Sequence, residues 1–382
     1  MIGEITPFRV EVAAAAIEDL RARLSRTRWT DSIGAPWEYG VDADYLRAFC
    51  AYWANDFEWS GYERRFNAQP SFLTEYDGQR IHFYHVRSPE PQARAVILTH
   101  GWPGSVAEFH ECMAPLANPT AYGADGRDAF HVVAPALPGF GYSGPTRETG
   151  WRGLRIAHAF HALMQRLGYD EYFAQGGDKG SLISILLAAN FPQHVKAMHL
   201  NLLAAPPIDP SDPTMGVAQH EREYLSANAA FAATGSGYQL VHRTRPQTLA
   251  FALMDSPVGL AAWMLDKFQA WSDCGGDVER SFSRDALLDA ISLYWLTGTI
   301  GSSMRIYFED HGPGRNWPLP RVYIPTGHAM FPAEILKTPR AWAERQFNIQ
   351  HWRIMPRGGH FAAMEEPGLF VDELRTFFRA YR

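Results

Sequence analysis

Cysteine is scarce in this chain. There are three, Cys50, Cys112 and Cys274, in 382 residues, far apart and with no C-x-x-C pair. That speaks against a disulfide framework and against a thiolate zinc site, and it fits a reducing compartment. Long apolar runs are also missing. The longest, around 182–191, is about half of what spanning a bilayer requires. The opening residues, MIGEITPFRVEV, have no basic start followed by an apolar stretch, so no signal peptide is expected. The expectation is a cytoplasmic protein without a membrane span. The formal net charge is −6 and no block of like charges occurs, so the basic face of a nucleic-acid binder is absent. The 32 Gly and 26 Pro are scattered, which leaves no low-complexity segment, and no internal repeat is visible.

What is present is ordinary globular composition, 46% hydrophobic and 20% charged, enough for a large core. Residues 1–75 read as a helical, aromatic-rich N-terminal segment. Ile17, Leu20 and Leu24 recur at helical spacing, as do Leu46, Phe49 and Trp53. Short apolar runs then read as strands: IHFYHV (81–86), AVILTH (95–100), HVVAPAL (131–137), YFAQ (172–175) and KAMHLNLL (196–203). Helix-like stretches lie between them, such as LRIAHAFHALMQRLG (154–168), with Gly168 as its expected stop. Strand–helix–strand at this spacing predicts an α/β fold, a mostly parallel sheet with helices on both faces. AAPPIDPSDPTMG (204–216) is a proline-rich break. The expected division is therefore a first core half over 76–207, a helical lid over 208–318, and a second core half over 319–382. Strand signals resume in that last part at RVYIP (321–325) and HWRIMP (351–356).

Four motifs follow strands in a fixed order: HGWPGS (100–105), PGFGYSG (138–144), GGDKGS (176–181) and GGHFAAMEEP (358–367). Each alone is weak. An aspartate at a helix start is ordinarily a cap, and a lone histidine is ordinarily a core or surface residue. Together they follow the chain order nucleophile, acid, histidine of α/β-hydrolase triads, with Asp178 where a serine would stand.

Over essentially its whole length the chain resembles the α/β-hydrolase epoxide hydrolases, in the microsomal-type branch with the long N-terminal segment. The resemblance runs through ITPFRVEV, SRTRW (25–29), HGWPGS, GGDKGS, SGYQLVH, SSMRIYFE, PTGHAMFPAEI and GGHFAAMEEP. It implies an α/β-hydrolase fold with a helical lid and an N-terminal wrapping segment. It also implies that Asp178 is the nucleophile, His360 the base for hydrolysis and Glu334 the acid that orients it. Tyr238 and Tyr307 would be the lid acids, and the backbone N–H groups of Trp102 and Lys179 the oxyanion hole. Many members of this branch carry an N-terminal membrane helix, and this sequence is expected to lack one. Such proteins often have an aromatic or aliphatic residue after the nucleophile. Here it is Lys179, which brings a cation to the site.

Chemistry explains an aspartate at the turn. It is ionised near neutral pH and needs no base to attack carbon. A serine would leave an ether, whereas an aspartate leaves an ester, whose carbonyl water can attack. Opening an epoxide creates an alkoxide, and a phenol is a far stronger acid toward it than water. Displacing halide needs only weak donors such as indole N–H groups. Glu334 competes with Glu309 and Asp310 for the histidine, but it follows the strand RVYIP, where the fold places the acid. Glu365 and Glu366 read as a solvated helix start. The expected partners are a small hydrophobic epoxide and water, with no cofactor and no metal, and a homodimer is compatible with the chain. Two other readings stay open. One is a haloalkane or haloacid dehalogenase using the same aspartate, with Trp102 as a halide-holding indole. The other is a non-catalytic binding protein on a hydrolase scaffold. A serine esterase is disfavoured because Asp178 occupies the turn.

Overall fold

The structure is a computed structural model that describes residues 3–315 and 318–382. Positions 1–2 of the N-terminal segment and 316–317 of the lid stretch lie outside the described residues. Among those described, nine strands form one sheet: β1 (Thr6–Phe8), β2 (Ser71–Tyr76), β3 (Gln79–Val86), β4 (Arg94–Thr99), β5 (Phe130–Pro135), β6 (Tyr172–Gly176), β7 (Val195–Leu200), β8 (Val322–Met330) and β9 (Phe347–Ile354). Their order is β1-β2-β3-β5-β4-β6-β7-β8-β9. The first four in that row pair antiparallel, and from β5 onward every pairing is parallel.

The central strands are buried on both faces, which is why they read as continuous apolar runs. Alternate residues serve opposite cores. Ala95 and Ile97 face one, with the helices Gly153–Arg166 and Asp178–Asn190, while Val96 and Leu98 face the other, with the helices His110–Ala117 and Pro367–Phe378. The chain order reverses at β4, which lies between β5 and β6. In an open α/β sheet the carboxyl ends of the strands at such a point border the ligand crevice. Thr99 pairs with Gly176 at that end, so HGWPGS and GGDKGS leave the sheet side by side.

Between β7 and β8 the chain forms helices Arg222–Ala230, Gly237–Thr244, Pro246–Asp255, Pro257–Trp271, Arg284–Thr297 and Ile300–His311. PGFGYSG receives the last of them. The Gly141 N–H donates to Thr299 Oγ1 at 3.1 Å, and Ser302 Oγ donates to the Gly139 carbonyl at 2.5 Å. No single helix among the described residues is long and apolar enough to cross a membrane; Pro246–Asp255 and Pro257–Trp271 pass that test only as a pair bent by 118°.

The N-terminal segment, expected as a helical and meandering stretch, combines helices with two edge strands. Besides helices Ala14–Ser25, Ala43–Asn55 and Trp59–Phe66, it supplies β1 and β2 at the sheet edge. Two polar residues of β2, Ser71 and Thr74, are buried. Ser71 Oγ donates to the Phe8 carbonyl and Thr74 Oγ1 to the Gly3 carbonyl, at 3.1 and 3.0 Å, which hides the apolar alternation. Strand β8 likewise runs past RVYIP to Met330, through the buried polar residues Thr326 and His328.

This segment also grips the lid. Arg65 makes paired bonds to Asp289 (Nη2 to Oδ1, 2.7 Å), and Tyr52 donates to Asp285 Oδ1 at 2.8 Å. Burial lifts the Asp289 carboxyl to about 6 against the pull of Arg65. Replacing Arg65 with methionine should therefore destabilise the protein by about 3 kcal/mol, since it leaves a buried charge uncompensated. Replacing both residues, Arg65→Met with Asp289→Leu, should recover most of that loss. Denaturant unfolding measures both, and a midpoint unmoved by Arg65→Met would refute this account of the clamp.

Candidate active site

Steric crowding shapes the turn after β6. Asp178 stands at φ +48°, in the left-handed region that residues with a Cβ rarely occupy. Its neighbours must be small. A Cβ on Gly176 would lie 2.2 Å from the Gly180 carbonyl oxygen, and one on Gly180 would lie 1.8 Å from that of Thr99. Gly101 is just as constrained, since a Cβ there would meet Asp178 Cβ at 2.3 Å. The two loops are thus pressed together, and Asp178 projects at the N-terminus of helix Asp178–Asn190, where the helix dipole favours a carboxylate.

Each Asp178 oxygen has its own neighbour. The backbone N–H of Trp102 donates to Oδ1 at 2.9 Å, and Nε2 of His360 lies 3.7 Å from Oδ2. Nδ1 of His360 is bonded to Glu334 Oε1 at 2.6 Å, and that oxygen also accepts the Ile335 N–H at 2.7 Å. Glu334 follows β8 and His360 follows β9. The Ala333 N–H donates to the Gly358 carbonyl at 3.1 Å, which joins the two loops. Of the competing carboxylates, Asp310 instead accepts the Gly153 N–H at 2.8 Å and lies 3.9 Å from Lys179 Nζ, while Glu309 lies 3.9 Å from Arg315. Burial pulls the His360 pKa down, but Glu334, Asp178 and Glu108 outweigh it and lift the ring to about 9. The imidazole is therefore charged at neutral pH.

The lid supplies the opposite wall. Tyr238 and Tyr307 are both buried, with ring centroids 5.9 Å apart at 81°. The Trp102 ring stacks on Tyr238 at 5.2 Å and 13°. Gln239 Nε2 donates to Tyr238 Oη at 2.9 Å. The Tyr307 hydroxyl makes no hydrogen bond of ordinary geometry, although the two phenols are near enough to influence each other. Burial first, and then the Asp178 charge, pushes both phenols above their usual value, so both hold their protons. Lys179, the unexpected residue, places Nζ 4.0 Å from the Tyr307 ring centroid.

Several residues at the site escaped the sequence reading. Burial, with a further push from Asp178, raises the Glu108 carboxyl to about 8, while His360 pulls it down. The visible signal was Ser105-x-x-Glu108, which reads as a capping box; Ser105 Oγ does accept the Ala107 N–H, at 3.2 Å. His242 sits one turn beyond Tyr238 on the same helix, 4.6 Å from the Trp102 ring and 5.1 Å from that of Tyr307. Burial, helped by Lys179 and Lys267, lowers its pKa to about 3, so it is neutral. Trp271 accepts the His360 N–H on its carbonyl at 2.9 Å. Glu365 is not the solvated residue expected. Its two oxygens accept the Asp273 and Phe361 N–H groups at 2.7 and 3.0 Å, and burial leads in raising it to about 7.

Known proteins resemble this chain over nearly its whole length. Residues 5–109 match the family described as epoxide hydrolase N terminus, and residues 94–275 match the α/β hydrolase fold. A protein of Stigmatella aurantiaca is 44% identical over 99% of this chain and 86% of its own length. Epoxide hydrolase 1 of Sus scrofa is 37% identical over 98% of this chain and 88% of its own. The solved structure of Aspergillus niger epoxide hydrolase superposes with a TM-score of 0.88 at 30% identity, covering 99% of this chain and 97% of that one.

The charged imidazole gives a direct test. By nuclear magnetic resonance His360 should titrate near pH 9, against about 6.5 in an unfolded chain. A pKa raised on folding means that the ion pair's contribution to stability is complete below about pH 6.5 and is lost as the pH rises through the folded value. Glu334→Gln removes the largest raising influence, so its midpoint should move clearly downward. An unmoved midpoint would show that Glu334 does not set the charge.

Proposed function

The chain belongs to the epoxide hydrolase family and is an epoxide hydrolase, and on that premise we propose that it converts its substrate to a vicinal diol through an ester on Asp178. The observation that carries this reading is the division of labour between the two Asp178 oxygens. Oδ1 accepts the Trp102 N–H, and Oδ2 is the oxygen facing His360. Oδ2 attacks an epoxide carbon, and the C–O bond of the ring breaks as the C–Oδ2 bond forms. The departing oxygen takes a proton from Tyr307 or Tyr238. Asp178 Oδ1 is then the carbonyl oxygen of a neutral ester, held by the N–H groups of Trp102 and Lys179. Losing one such donor typically costs about 3–4 kcal/mol of transition-state stabilisation.

Hydrolysis uses His360. In the free enzyme its positive charge is maintained in part by Asp178. Ester formation removes that negative charge, so the imidazole pKa falls; the ring gives its proton to the phenolate left by ring opening, which restores the tyrosine, and the neutral ring is then available as a base. It takes a proton from water, hydroxide adds to Asp178 Cγ, and the tetrahedral oxyanion collapses. The diol leaves with the former Oδ2, and water's oxygen restores the carboxylate.

Two protonated phenols favour an alkoxide leaving group over a halide. The surrounding rings, Trp102, Trp271 and neutral His242, favour a hydrophobic epoxide. The three cysteines are free and buried, which suits the reducing cytoplasm where we place the enzyme.

Isotope labelling tests the covalent route. With enzyme in excess in heavy-oxygen water, the first-turnover diol should be unlabelled and the peptide containing Asp178 should gain the heavy oxygen. A labelled diol with an unlabelled peptide would make Asp178 a base on water and overturn the ester.

His360→Gln separates the steps. Asp178 needs no base to attack, so the variant should form the ester and fail to release it. Intact-protein mass spectrometry should then show enzyme plus the mass of the epoxide. Lost activity with no accumulated adduct would contradict the role given to His360.

A further inference from the structure

The residue after the nucleophile is a buried lysine, Lys179, only 7% exposed. Burying an ammonium is costly unless something holds it. Two groups do so. One is the face of Tyr307, with Nζ 4.0 Å from the ring centroid. The other is Asp310, whose Oδ2 lies 3.9 Å from Nζ. Both belong to helix Ile300–His311, three residues apart and so on one face. At that separation Asp310 is an ion-pair partner that leaves the ammonium able to respond to charge on the ring.

We propose that Lys179 is a positioning residue for ring opening: it seats Tyr307 over the nucleophile turn and stabilises the phenolate that develops as Tyr307 gives up its proton. The inference rests on the reading of Tyr307 as a proton donor.

The electrostatics favour it. Before reaction the ammonium faces a neutral ring, and the attraction is that of a cation for a quadrupole. As the proton moves to the epoxide oxygen, the ring gains negative charge and the attraction becomes one between ions. An interaction that strengthens between ground state and transition state accelerates the step. Other groups act on the same phenol. Asp178 and Tyr238 raise its pKa, Tyr294 adds to this, and His242 faces it as a neutral ring. Asp178 loses its charge in the very step in which Tyr307 gains one, while Lys179 remains. The second lysine nearby, Lys267, lies 5.3 Å from the Tyr238 centroid. It is tied directly to its neighbour Asp266 and is the less free of the two.

A double-mutant cycle on the single-turnover rate of ester formation tests this. Lys179→Met keeps the backbone N–H and the length of the side chain but removes the charge. It should slow ester formation roughly tenfold, the equivalent of one pKa unit on the donor, and slow ester hydrolysis far less. In the Tyr307→Phe background the same substitution should add almost nothing. Lys179→Arg should recover most of the rate. Lys179→Gln replaces the methionine variant if thermal unfolding shows that methionine disturbs the fold. Equal slowing in both backgrounds, equal slowing of both half-reactions, or no slowing would each overturn the proposal. If Tyr307→Phe alone opens epoxides at the wild-type rate, the donor assignment itself fails, and the cycle reveals that separately.

Discussion

The negative charge on Asp178 is the constraint to which the rest of the site answers. It is placed by a backbone conformation, φ +48°, that only small neighbours permit. It is held by one N–H, from Trp102. From that point it raises His360, Glu108, Tyr238 and Tyr307 together. On the proposed mechanism this charge vanishes when the ester forms. One event then makes the phenols better acids and lets the imidazole give up its proton, so that a neutral ring is ready to take one from water. Conformational switching is not needed to reset the groups, because the covalent bond does so.

The fold brings these groups together from distant parts of the chain. Four loops leave the same edge of the sheet, after β4, β6, β8 and β9, and carry Trp102, Asp178, Glu334 and His360. The two tyrosines come from the lid, whose last helix rests on the 138–144 loop. Among the described residues, the N-terminal segment bonds to the lid rather than to Asp178, Glu334 or His360. Its contribution is the grip of Arg65 and Tyr52 on helix Arg284–Thr297, which fixes the lid against the core. A lid that must hold a phenol at a defined position gains from being held at two places.

How much of this was legible in the sequence depends on how local each constraint is. The Gly-x-Asp-x-Gly turn was readable because crowding within six residues permits few alternatives. Strands β4 to β7 were readable because burial on both faces leaves uninterrupted apolar runs. Glu334 and His360 were readable as residues that follow strands, and their 2.6 Å bond joins two such loops. Strand β2 was missed because Ser71 and Thr74 face inward and satisfy backbone carbonyls. Glu108 was hidden by a helix-capping pattern that also explains it. Nothing in the spacing of Tyr238 and Tyr307 reveals that their rings meet. They lie on different helices, and only the resemblance to a family paired them. Lys179 was noticed as a departure, but its contact with Tyr307 required the lid to be in place.

Two tryptophans make the core and the lid one device. Trp102 gives its backbone N–H to Asp178 and stacks its ring on Tyr238. Trp271, at the end of a lid helix, accepts the His360 N–H on its carbonyl and sets its ring 5.1 Å from the imidazole and 5.0 Å from Tyr238. Each residue therefore touches one group of the triad through its backbone and a proposed acid through its ring. This wall of aromatic surface also keeps bulk water from the phenols, and exclusion of water strengthens every charge interaction inside. On the proposed mechanism the labour divides accordingly: the core holds the groups that make and break the ester, and the lid holds those that protonate the leaving oxygen. Ring opening and hydrolysis need opposite chemistry at nearly the same point, an acid and then a base. In the mechanism proposed here, separating the two between lid and core, with Asp178 as the shared charge, lets one site perform both.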